Sequence, residues 1–125
     1  MSITLTHEVD KANKILICEL KGCLSQAIDG EHMLKTIVKL AGKNQVKNVV
    51  VDATELNIEY STMNLTNLML RMQQEDWLNE IKIARIIKPQ DNAQNLVGEM
   101  AEKYKLPIKN FDNRSEALMW LLFNK

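Results

Sequence analysis

Residues 48–72 read NVVVDATELNIEYSTMNLTNLMLRM, and this segment carries the main information about the fold. It opens with a short β-branched run without alternation, which is typical of a strand covered on both faces of a sheet. An acidic and hydroxyl-rich stretch follows, and apolar residues then recur at helical spacing. Ligand and partner sites of open α/β sheets usually lie outside the carboxyl ends of strands, so the segment also indicates where function resides.

The period of the hydrophobic pattern changes repeatedly on both sides of this segment, which predicts strands and helices in alternation. The predicted elements are strands at residues 3–9 and 15–20, a helix at 25–41, a strand at 46–52, a helix at 62–79, a strand at 81–87, a helix around 97–104, a strand at 108–111 and a terminal helix. Ser25 is expected to cap the first helix and Gly42 to end it. Asn113, with Glu116 three residues later, predicts the start of the last helix.

The resulting order, ββαβαβαβα, predicts an α/β domain with a mixed five-stranded sheet and about four helices packed against it. The 125 residues fall within the usual size of one domain. No internal repeat or long linker divides the chain, so residues 1–125 are expected to form a single domain.

Charge and apolar content exclude several classes of protein. Lys and Arg total 16, as do Asp and Glu, so no overall field favours nucleic acid. No apolar stretch approaches the roughly 20 residues of an integral membrane segment, and the N-terminus lacks the pattern of a secretory signal, so a cytoplasmic location is expected. Cys18 and Cys23 are too few for a closed zinc site, and no metal or other cofactor is predicted.

Two local patterns, NVVVDATELNIEYST and IKNFDNRSEALMWL, support a family resemblance over nearly the whole chain. Together with the element order, they resemble the STAS fold of anti-sigma-factor antagonists. The chain is similar in particular to the SpoIIAA-like group within the STAS and SEC14-related bacterial proteins. The antagonist pattern is a hydrophobic strand, Asp-Leu-Ser, a short loop, and Asp-Ser-Ser-Gly at the start of a helix.

The resemblance implies roles for four polar residues. Asp52 matches the Asp after the strand, Thr54 the Ser, and Ser61 and Thr62 the paired serines, with Thr62 at the phosphorylated position. A phosphate there would meet the unpaired N–H groups of a helix N-terminus, and its charge would repel a docked partner. The alternative is that one of the two hydroxyls simply caps the helix.

The chain departs from the family pattern at the helix entrance. Tyr60 replaces the family's Asp, Met63 its Gly, and Asn64 an apolar residue.

Five residues are expected to form a loop at the end of the central strand: Asp52, Thr54, Glu55, Glu59 and Tyr60. Asp52 is also interpreted as the acceptor of an Asx-turn that ends the strand. The three carboxylates could approach one another for acid and base chemistry or Mg²⁺, although acidic loops are more often simply solvated.

The helix after this loop carries two apolar faces. Leu65, Leu68, Met69 and Met72 follow the spacing of a buried face. Met63, Leu70 and Trp77, spaced by sevens, form a second stripe, which predicts contact with a protein partner or a second copy of the chain. In the alternative, Trp77 lies beyond the helix and folds into the core, while Met63 packs under the loop.

Enzymatic function is not expected. His7 and His32 are the only histidines, and the chain has neither a G-x-S-x-G sequence nor a Walker-type loop. We therefore predict a noncatalytic, STAS-like interaction module that acts through residues 57–77. The alternative, also implied by the resemblance, is a binder of a small apolar or lipid-like ligand between sheet and helices.

Overall fold

The computed structural model describes residues 3–123, which form five strands and four helices. In chain order they are β1 (Ile3–Asp10), β2 (Ile15–Leu24), α1 (Ala27–Lys43), β3 (Asn48–Ile58), α2 (Thr62–Glu75), β4 (Lys82–Ile86), α3 (Asn92–Lys103), β5 (Ile108–Phe111) and α4 (Arg114–Phe123). This is the predicted order ββαβαβαβα, so the predicted fold class is confirmed.

The strands of this described region form one mixed sheet in the order β1-β2-β3-β4-β5. β1 and β2 are an antiparallel hairpin, whose turn is fixed by Asp10 Oδ1 accepting from the Asn13 amide at 3.1 Å. The remaining pairs are parallel, because a helix connects each strand to the next.

The helices cover the two faces of the sheet unequally. Buried side chains of α1, α2 and α3 pack with Val49 and Val51 on one face, which holds the larger core. Val50 points to the other face, where it packs with Ala117 and Leu121 of α4. β3 is thus covered on both sides, as its β-branched run predicts.

The ends of α1 differ from the prediction. The N-cap is Gln26, not Ser25, because β2 continues to Leu24 and the Asp29 carboxylate accepts from the Gln26 amide at 3.1 Å. Gly42 does not stop the helix, which continues through Lys43 to an Asn44 cap. At α4, by contrast, Asn113 Oδ1 accepts from the Glu116 amide at 2.9 Å, which confirms the predicted cap.

β3 is longer than predicted and contains an irregularity. It pairs with β4 only as far as Asp52, but continues beside β2 to Ile58. Glu19 pairs with Asp52 and Lys21 with Glu55, so β3 has one more residue than β2 in this interval, which is the count of a β-bulge. The last part of β3, residues 53–58, therefore extends past the end of β4.

α2 is shorter than predicted. It ends at Glu75, and Asp76 follows with a left-handed backbone, φ 49°. The Trp77 amide donates back to the Met72 carbonyl at 3.3 Å, which closes the helix end. Trp77 therefore lies outside the helix that was expected to reach residue 79.

Candidate functional site

The predicted loop residues divide between β3 and the entrance to α2. Asp52, Thr54 and Glu55 lie within β3, so their assignment to a loop is wrong; Glu59 and Tyr60 do lie in the connection. The bulge explains the difference, because it accommodates the turn that Asp52 makes without ending the strand. Asp52 Oδ1 accepts from the Thr54 amide at 3.0 Å and from the Thr54 hydroxyl at 2.7 Å.

The carboxylates of Asp52 and Glu55 contact different partners and do not form one cluster. Glu55 forms an exposed ion pair with Lys21 at 3.4 Å, which raises the pKa of that lysine. Within residues 3–123, no group of three or more His, Cys, Asp or Glu side chains is arranged to hold a metal ion.

The entrance to α2 is built by Ser61 and Thr62. Ser61 Oγ accepts from the Asn64 amide at 3.1 Å, so the interpretation of one hydroxyl as the helix cap is confirmed for Ser61. Thr62 is the first residue of α2, and its side chain is exposed beside the N-terminal amides. A negative group on Thr62 would lie at the positive end of the helix dipole.

Tyr60 connects this entrance to α1. A Cβ at Gly30 would lie 3.0 Å from the Tyr60 hydroxyl, so the close approach of the phenol depends on the missing side chain at Gly30. Burial raises the pKa of Tyr60, and the positive charge of Arg85 opposes that rise. The Tyr60 ring thus packs against the main core beside α1.

The predicted stripe on α2 is exposed in part. Met63 is 74% exposed and Leu70 is 37% exposed. Asn67 lies between them, four residues after Met63 and three before Leu70, and it also lines a groove between α2 and α1. Ile28 of α1, which is 45% exposed, lines the same groove. We name Ile28, Met63, Asn67 and Leu70 the α2 surface.

Trp77 belongs to a different cluster, between α1 and α2. It is half-buried against the main core, and its Nε1 donates to Glu75 Oε1 at 3.0 Å. Its ring lies 4.6 Å from Lys35 Nζ and 5.0 Å from Arg71 Cζ, distances typical of cation–π contacts. A continuous stripe of Met63, Leu70 and Trp77 on one helix is therefore wrong, because the helix ends before Trp77.

Glu31 holds the same two cations from α1. It is only 7% exposed, and its carboxylate lies 2.7 Å from Arg71 Nη1 and 2.9 Å from Lys35 Nζ. The hydrogen bond from Lys35, followed by that from Arg71, lowers the pKa of Glu31 below its ordinary value. Sequence spacing could have indicated the pair with Lys35 four residues on, but not the contact with Arg71 from another helix.

Arg85 is a charged residue buried in the core. It lies in β4 and is 8% exposed. Nη1 donates to Asn110 Oδ1 at 2.9 Å and to the Gln94 carbonyl at 3.4 Å, while Nη2 donates to Gln94 Oε1. Burial lowers the pKa of Arg85 to about 10, so the side chain remains charged at neutral pH.

Gln94 extends this network to the bulged part of β3. It is fully buried, and its Nε2 donates to the carbonyls of Leu56 at 2.8 Å and Ala53 at 3.4 Å. The sequence signal for the burial of Arg85 is its position: it lies two residues from both Ile83 and Ile87, so it shares their face of the sheet, and both isoleucines lie in the main core.

A cavity of about 100 Å³ lies between the sheet and α1, α2 and α3. Most of its lining is aliphatic, with contributions from Leu20, Leu24, Ile37, Val51 and Leu65, and Tyr60 and Arg85 supply polar groups. The structure thus combines an exposed α2 surface with a small core cavity.

The two histidines and the two cysteines lie on β1, β2 and α1. His7 is exposed on β1 and His32 is exposed on α1. Cys18 and Cys23 are free, and burial raises the pKa of Cys18 to about 11, which makes it a poor nucleophile. In the described part of the chain, no helix has the length and apolar content needed to cross a membrane.

Comparison with solved structures identifies the fold. An anti-sigma factor antagonist from Mycobacterium paratuberculosis aligns over 96% of this chain and 94% of its own, with a TM-score of 0.60 and 10% identity. An uncharacterised protein of the DUF3478 family with a SpoIIAA-like fold, from Shewanella loihica, aligns over 95% and 93%, with a TM-score of 0.55 and 23% identity. No protein-family model and no curated protein matches the sequence.

This chain therefore has the STAS, or SpoIIAA-like, fold, and the resemblance noted in the sequence is confirmed at the level of fold. Sequence identities of 10% and 23% support a shared fold and do not by themselves support a shared function.

Proposed function

We propose that the protein is a noncatalytic regulatory module that binds another protein, or a second copy of itself, through residues 57–77. The observation that carries this proposal is the exposure of Met63 and Leu70, 74% and 37%, on one face of α2. Methionine adapts to varied partners, and clustered apolar side chains on a surface favour association. The solved relative described as an anti-sigma factor antagonist supports a regulatory role on this fold.

The entrance to α2 supplies a means of control under this proposal. Thr62 is the preferred phosphoacceptor, since its side chain is exposed at the first position of the helix; Ser61 is the second candidate, although its hydroxyl already caps the helix. A phosphate at either residue would be stabilised by the helix N-terminus and would place about two negative charges beside Met63.

Under this proposal the module acts in the cytoplasm, and it has no enzymatic activity. Two free cysteines agree with a reducing compartment. The Ser61 hydroxyl accepts a backbone hydrogen bond as a helix cap, which is a structural role.

Native mass spectrometry of the protein isolated from the cells that produce it tests the proposal. We expect a mass above that of the monomer, which indicates a complex. This complex should be lost when Met63→Glu and Leu70→Glu are combined. Met119→Glu is the matched control, because Met119 is 59% exposed on α4, on the opposite side of the sheet. A bare monomer, or a complex that survives the double substitution, would contradict the proposal.

The same spectra test phosphorylation. An adduct of about 80 Da, one phosphoryl group, is expected on part of the isolated protein and is expected to disappear in Thr62→Val. Its persistence in Thr62→Val but loss in Ser61→Ala would assign the modification to Ser61. Isolated protein without any adduct would contradict this part of the proposal.

A further inference from the structure

The buried Arg85 has an electrostatic environment that calls for an anion. Within residues 3–123, no carboxylate oxygen lies within 4.0 Å of its guanidinium. The three acceptors that it does have, on Gln94 and Asn110, are neutral oxygens. Asp91 attracts Arg85 only from a longer distance. A buried charge without a counterion is costly, and a carboxylate is the acceptor that best compensates an arginine.

The space beside Arg85 is apolar. The cavity of about 100 Å³ is lined mainly by aliphatic side chains, with Arg85 and Tyr60 among its walls. Its volume is about two-thirds of the roughly 150 Å³ of an engineered apolar cavity that takes up benzene. It therefore fits a few carbon atoms in addition to one polar head, and it is too small for a long acyl chain.

We propose that this cavity binds a small aliphatic monocarboxylate, with the carboxylate at Arg85 and the hydrocarbon part among the side chains of α1, α2 and the sheet. The ligand supplies the negative charge that would balance Arg85. Its apolar part fills space in which the lining side chains otherwise have no atoms to contact, and so adds dispersion contacts. The inference is independent of the proposed interaction function, because the cavity does not include Met63 or Leu70.

Titration of the wild-type protein with isobutyrate, followed by ¹H–¹⁵N NMR at constant ionic strength, tests this proposal. We expect saturable shifts at the Arg85 side chain and at the amides around the cavity. Isobutyramide has the same shape without the charge, and formate has the charge without the hydrocarbon. Each is expected to bind at least about tenfold more weakly, since each keeps only one of the two interactions.

Two arginine variants localise the binding. Arg85→Met is expected to abolish the saturable shifts, whereas Arg71→Met, which removes an arginine outside the cavity, is expected to retain them. If Arg85→Met does not fold, the comparison of isobutyrate with isobutyramide on the wild type decides alone. Equal affinities for isobutyrate and either control compound, the absence of saturation, or loss of binding in Arg71→Met would each overturn the proposal.

Discussion

Replacing Gln94 with alanine is expected to destabilise the fold far more than its single side chain suggests. Gln94 is fully buried and serves three groups at once. Its Oε1 accepts from Arg85, and its Nε2 donates to the carbonyls of Leu56 and Ala53, at 2.8 and 3.4 Å. Truncation leaves a buried charge with one fewer acceptor and leaves two backbone oxygens without their side-chain donor.

The expected cost follows from these contacts. A hydrogen bond to a charged group contributes about 1.5–3 kcal/mol, and a buried acceptor left unpaired costs about 1–3 kcal/mol. The bond to Ala53 is long, so it adds little. Water entering the vacated space recovers part of the loss. We therefore expect Gln94→Ala to lower the free energy of unfolding by about 3–5 kcal/mol, a large part of the roughly 5–15 kcal/mol of a typical domain.

Urea unfolding followed by circular dichroism measures this difference, and the melting temperature should fall by about 10–20 °C. Gln90→Ala is the matched control, because Gln90 is exposed just before α3, and it should change the free energy of unfolding by less than about 0.5 kcal/mol. A loss below about 1 kcal/mol in Gln94→Ala would refute the view that this side chain supports the network.

Five further substitutions test three other parts of the structure. Ser61→Ala should reduce the free energy of unfolding by about 1 kcal/mol through loss of the cap, whereas Thr62→Ala should change it by less than about 0.5 kcal/mol; equal effects in urea unfolding would contradict the assigned cap. Gly42→Ala should stabilise by about 0.5–1 kcal/mol because nothing lies within 4 Å of the added Cβ, while Gly98→Ala should destabilise because its Cβ would lie 2.4 Å from a β5 side chain. Glu31→Gln should be less stable than wild type at neutral pH. This gap should close as the pH falls below the ordinary carboxyl value of 4.5, because the folded-state pKa is lowered; a gap independent of pH would exclude the ion pairs as its cause.

The hydrophobic pattern was sufficient to predict the architecture, because the helices and β1 repeat their apolar residues at their own spacing, and β3 is a continuous β-branched run covered on both faces. The ends of strands and helices were less predictable where a polar residue is compatible with two local structures. Asp52 indicated the end of a strand, yet the structure places its turn inside a bulge, and β3 continues to Ile58. The end of α2 also lacked a signal, since Asp76 adopts the left-handed backbone that glycine or asparagine more often provides.

The candidate site was predictable only where it is local in sequence. The cap at Ser61 and the exposed apolar positions of α2 follow from spacing within one helix. The Arg85 network does not, because Gln94 and Asn110 reach it from α3 and β5, and pairing between distant elements leaves no periodic signal. The contact between Glu31 and Arg71 was unpredictable for the same reason, because these residues lie 40 positions apart in sequence and on different helices.

The network also explains how the core and the α2 surface are joined. Beyond Asp52, β3 no longer pairs with β4, so its carbonyls on that side need another donor. Gln94 provides it at Ala53 and Leu56, and Arg85 fixes Gln94 by holding its side-chain oxygen. This supported stretch of β3 leads directly into Tyr60, which lines the cavity, and into the entrance of α2. Arg85, Gln94 and β3 thus form one continuous set of hydrogen bonds that links the wall of the cavity to the strand leading into α2.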